Sequence, residues 1–90
     1  MELLKGVVIL IERTVTVGSS FETRSAALLV QTASKFSSKI NIKVDGRTAN
    51  AKSIMGIISL GITDGDTIVL SADGDDERQA IPALEQFFLG

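Results

Sequence analysis

The sequence predicts an α+β fold in which one sheet carries its helices on one face, with elements in the order β-α-β-β-α-β-α. Three observations carry this. Apolar spacing switches repeatedly between period two and period 3.6 along the chain. Turn dipeptides such as Asp45-Gly46 separate the period-two stretches. The strand and long-helix stripes are one-sided, and a single helical layer on a single sheet buries them together.

The first strand is read from Val7, Ile9, Ile11, Val15 and Val17, with Glu12, Thr14 and Thr16 between them. Alternation with β-branched residues marks a strand with one buried face. Gly18-Ser19-Ser20 forms the next loop. From about Thr23 to Phe36, Ala26, Leu29, Val30, Ala33 and Phe36 recur on one side of a helix. Ile40, Ile42 and Val44 alternate with Lys39, Asn41 and Lys43 in a second strand. After Asp45-Gly46 the return strand covers Arg47 to Ala51.

Ser53 ahead of Ile54 to Leu60, and Gly61 behind them, match a capped two-turn helix. Asp64-Gly65-Asp66 is a turn into the strand TIVLSA. The last helix is placed at Asp76 to Phe88, with Asp76 and Gln79 as a capping box and Ala80, Ile81, Leu84, Phe87 and Phe88 as its apolar side. Pro82 falls inside it, which predicts a kink or a late start.

Composition narrows the chemistry. Ninety residues make one small domain, residues 1–90. A net charge of −2 and the lack of tyrosine and tryptophan argue against nucleic acid as a partner. There is no cysteine and no histidine, which removes disulfides, thiolate and imidazole catalysis and most transition-metal sites. Asp73, Asp75 and Asp76 are read as a polar turn rather than a magnesium site. No metal or cofactor is expected. The apolar run Val7 to Ile11 is ended by Glu12 and Arg13, short of the ~7–15 residues of a signal core and the ~20 of a membrane span. The chain therefore reads as cytoplasmic, with no membrane partner.

Asn50 to Gly61 reads NAKSIMGIISLG. With Ala26-Ala27-Leu28-Leu29-Val30 and the Gly65-Asp66-Thr67-Ile68 of the last strand, it resembles HPr, the phosphocarrier of the bacterial sugar phosphotransferase system. The resemblance runs from about Thr14 to the C-terminus. It implies an HPr-like open-faced β-sandwich of four antiparallel strands covered by three helices. The first strand starts several residues earlier than is usual in that family, which leaves residues 1–10 as an N-terminal extension without an assigned role.

In the family's carriers a Gly-Leu-His-Ala-Arg-Pro-Ala-Ala segment opens the first helix. Here the aligned residues are Ser20-Phe21-Glu22-Thr23-Arg24-Ser25-Ala26-Ala27. Glu22 stands at the histidine position and Arg24, which would assist the phosphate, is kept. A neutral imidazole is a good nucleophile and leaving group near pH 7; a carboxylate would give only a labile acyl phosphate. The resemblance thus implies a chain that cannot be a histidine phosphocarrier. Two readings of Glu22 stay open, a weak imitation of a phosphorylated relative and a neutral replacement.

The resemblance also implies that Ser53 is the serine phosphorylated by HPr kinase/phosphorylase in family members of Gram-positive type. The same serine is a plain N-cap on the residue pattern. Phe21, Arg24, Leu28, Lys52, Ile54, Met55 and Ile58 form the expected partner surface, because a two-turn helix that is apolar all round cannot bury every side chain. Ile57 and Leu60 share the core-facing side, and one or two of the remaining apolar residues pack under the first-helix loop on the competing reading. The implied function is that of the histidine-less catabolite-repression HPr-like (Crh-type) proteins. Such a protein is a kinase substrate and binding module, not an enzyme, with a LacI-type transcriptional regulator or phosphotransferase-system enzymes as partners. A second reading is a passive decoy, or a homodimer formed by exchange of the first strand.

Overall fold

The computed structural model describes residues 11–18 and 21–89. In chain order these form β1 (Ile11–Thr16), α1 (Thr23–Ala33), β2 (Lys39–Val44), β3 (Arg47–Asn50), α2 (Ile54–Leu60), β4 (Thr67–Asp73) and α3 (Glu77–Glu85). This is the expected α+β order. Val7, Ile9 and the rest of residues 1–10 lie outside the described residues, as do Ser19 and Ser20 of the first loop.

The four strands lie in the order β1-β4-β2-β3, and each neighbouring pair is antiparallel. The period-two pattern fixes which face is buried, because a one-residue slip would turn every side chain over. Ile68, Leu70 and Ala72 of β4 and Ile40, Ile42 and Val44 of β2 lie in the core against Leu29, Ile57, Ile81, Leu84 and Phe88 from the helical side. Burying each such Leu, Ile or Phe contributes ~1.5–3 kcal/mol. Arg13 breaks the pattern on β1, where it stands opposite Leu70. Its guanidinium escapes over the sheet edge to Glu85 of α3 at 2.9 Å.

The turn chemistry follows the residue types. Asp45 and Gly46 both have positive φ, 49° and 79°, as a two-residue hairpin of this twist demands. Gly61 stops α2 in the left-handed region at φ 63°, while Ser53 Oγ caps the other end by accepting the Gly56 N–H at 3.1 Å.

Three expectations need correction. The first and last helices end earlier than their apolar stripes. Lys35 and Phe36 bond back only three residues, to Thr32 and Ala33, and Phe87 and Phe88 do the same to Leu84 and Glu85. Each final turn tightens but keeps its phenylalanine on the apolar side. The capping box at Asp76 does not form. Asp76 occupies the N-cap position but makes no side-chain cap bond, because its carboxylate is taken by the amides of Ser37 and Ser38. Finally, α3 starts at Glu77, before Pro82, so of the two outcomes expected at the proline the late start does not occur. The ring removes the donor that the Arg78 carbonyl would use, and both residues lie on the exposed side, where water can replace it.

Candidate functional site

Two helix ends meet around the expected surface. Glu22 is the extended N-cap of α1; its carbonyl accepts the Ala26 N–H at 2.9 Å, while its side chain caps nothing. Just before it, Phe21 stacks on Phe88, with ring centroids 4.9 Å apart. Phe88 is fully buried, so the first turn of α1 is moored to the end of α3 by an aromatic pair. The Gly18 N–H also donates to the Phe88 carbonyl, which tethers the preceding loop to the same point.

Between this turn and α2 lies an open recess of about 230 Å³. Phe21, Ala26, Ile57, Ile58 and Ile62 give it apolar walls, with Gly61, Thr23 and Glu22 completing the lining. Of the residues named in advance, the structure brings Phe21, Glu22 and Ile58 together here. Met55 is 70% exposed and Leu28 44%, and neither lines the recess. Ile54 is half-buried and packs on the core rather than standing outward. Ile57 and Leu60 are buried.

Ile62 was not expected in the site. The available signal was an apolar residue directly after a glycine stop, a position that commonly folds back onto its helix. Ala26 was assigned to the core, where it is, but its exposed neighbours leave it at the recess floor as well.

Charge around the site is sparse. Glu22 and Arg24 are both exposed, and among the described residues the only ion pair is Arg13 with Glu85. Lys52 does not reach toward Ser53. Its ammonium donates to the Phe36 carbonyl at 2.7 Å, and its backbone N–H donates to Asn50 Oδ1 at 2.8 Å. The lysine thus clamps the turn before α2 onto the end of α1. Ser53 itself is exposed, with its hydroxyl oxygen on the Gly56 amide. No grouping of carboxylates able to hold a metal ion occurs among the described residues. No helix among them is long and apolar enough to cross a membrane.

A four-stranded antiparallel sheet under three helices, with a short serine-capped apolar helix beside the N-terminus of the first, defines an HPr-like protein. A family model described as "PTS HPr component phosphorylation site" matches residues 11–89, and the chain belongs to that family. It is of the Crh type: it is 49% identical to the HPr-like protein Crh of Halalkalibacterium halodurans over 69 residues, 77% of this chain and 82% of that one. The crystal structure of the phosphocarrier protein HPr from Bacillus anthracis superposes with a TM-score of 0.84 at 41% identity, covering 88% of this chain and 96% of that one. A crystal structure of Bacillus subtilis Crh, itself a domain-swapped intertwined dimer, superposes with a TM-score of 0.70 at 39% identity, covering 82% and 83% of the two chains. The open-faced α+β sandwich expected from the resemblance is therefore the fold of this chain.

Proposed function

We propose that this protein is a regulatory, non-carrier member of its family, phosphorylated at Ser53 by an HPr kinase/phosphorylase and read by a partner protein in carbon catabolite repression. The observation that carries the reading is the absence of any histidine, with Glu22 at the carrier position. No imidazole is available to take phosphate from a donor and hand it on. What remains is recognition. Ser53 is exposed at the start of α2, beside the exposed Met55 and Ile58, so a phosphate there would label the docking face itself. Its charge would sit where free amides and the helix dipole favour an anion, so modification need not disturb the fold. On this reading the protein is not an enzyme, its site of action is the cytoplasm, and its partner is a LacI-type regulator or a phosphotransferase-system enzyme.

Incubation with HPr kinase and ATP tests this. One phosphate is expected on the intact chain and none on Ser53→Ala. Persistent labelling of Ser53→Ala, or no labelling of the parent, overturns it. Transfer of phosphate from phosphoenolpyruvate through enzyme I to this chain and on to a sugar permease would overturn the non-carrier reading.

A second reading is favoured by one observation, the swapped dimer of the Bacillus subtilis relative. In this chain β1 is an edge strand, paired on one side only with β4. A decoy or self-associating domain would then act by occupying surfaces, unphosphorylated, and would show a concentration-dependent dimer by sedimentation.

A further inference from the structure

We infer that the recess between α1 and α2 selects a partner protein that presents a lysine or arginine side chain, with its aliphatic stem on the apolar walls and its cation at Glu22. This rests on the reading that this face docks a protein, and it adds the chemistry of the group that docks.

The argument is one of charge and shape. Phe21, Ala26, Ile57, Ile58 and Ile62 make the walls apolar, and Glu22 is the sole ionisable residue in the lining. The carboxylate is exposed, makes no cap bond and has no ion-pair partner among the described residues, so it is available to an incoming cation. Arg24, two positions on, does not line the recess, and α2 contributes no charge at all. The N-terminus of an 11-residue helix would ordinarily favour an anion at this spot. Glu22 sets its own negative charge beside that end without capping it, and so shifts the local preference toward a cation. The walls and the carboxylate together fit a long amphipathic cation, whose stem lies on apolar surface while its head stays in water. The recess, about 230 Å³, is roomy enough for such a stem.

An amide chemical-shift titration of the isotope-labelled full chain tests this with three small probes: butylguanidinium, its neutral isostere butylurea, and pentanoate. Butylguanidinium should shift the amides of Phe21, Glu22, Ile58 and Ile62 saturably and bind about threefold more tightly than butylurea, as a surface ion pair allows. Pentanoate should bind more weakly than butylurea. Glu22→Gln should erase the difference between butylguanidinium and butylurea while leaving butylurea unchanged. Equal affinity of the two isosteres, a cation preference that survives in Glu22→Gln, or shifts centred away from the recess would each overturn the inference. Kinase labelling of the same sample separates the two proposals. Phosphate on Ser53 without a cation preference removes this inference alone; a cation preference without phosphate supports it and removes only the regulatory reading.

Discussion

Ser38 donates twice to a single oxygen of Asp76, from its hydroxyl and from its backbone N–H, the latter at 3.0 Å. The Ser37 N–H reaches the other carboxylate oxygen at 2.8 Å. Residues 38 apart in sequence are thereby joined, and the start of α3 is fixed to the segment that leads into β2. The Ser38 hydroxyl first, and the Ser37 amide next, hold the Asp76 carboxyl down from 3.8 to about 2. Hydrogen bonds to the charged form account for the direction.

This latch gives a pH dependence of stability. The folded carboxyl titrates below its value in the unfolded chain, so its contribution is present above about pH 4 and is lost as pH falls toward about 2. Asp76→Asn should therefore be less stable than the parent at pH 7, with the difference shrinking as pH falls to about 2. Urea unfolding at several pH values measures this, and a difference that does not change with pH would show that the latch is not electrostatic.

Gly74 lies against the same latch. A Cβ at that position would stand 2.7 Å from both the Cα and the Oγ of Ser38. The first of these atoms is backbone and cannot swing away, so Gly74→Ala should destabilise by about 1–3 kcal/mol. Thermal unfolding of the variant would detect it, and a melting temperature equal to the parent's would mean that the two segments can part without cost.

Phe88 and Met55 should separate folding from docking. Phe88 is fully buried and stacks on Phe21, so Phe88→Ala should cost about 3–5 kcal/mol. It should also loosen the first turn of α1, seen as faster amide exchange at Glu22 and Thr23. Met55 is 70% exposed, so Met55→Ala should change stability by no more than about 0.5 kcal/mol while weakening the partner complex. Unfolding and binding measured on the same two variants would expose the opposite pattern if the docking face lay elsewhere.

Ser53 has a structural role whatever modifies it. Its hydroxyl oxygen accepts the Gly56 amide at 3.1 Å, and Ser53→Ala should lower stability by about 1 kcal/mol. Ser53→Asp keeps an acceptor there and adds a charge that the helix end favours, so it should recover most of that loss. Chemical denaturation of the two variants side by side is the measurement, and an equal loss in both would mean that the cap contributes nothing through its oxygen.

The sequence by itself determined the order of elements, the buried faces of β1 and β2 and both caps of α2. Each depends on residues adjacent or nearly adjacent in the chain: alternating Ile40, Ile42 and Val44, or Ser53 and Gly61 around one helix. The absence of histidine was equally plain, because covalent identity needs no fold to be read. Tertiary structure decided the rest. Asp76 was expected to cap its own helix, yet Ser37 and Ser38, brought beside it by the sheet, offered the carboxylate three donors. Lys52, expected on the partner surface, is held by the Phe36 carbonyl instead. In both cases a long-range partner outcompeted the local one, and spacing along a chain records only local partners.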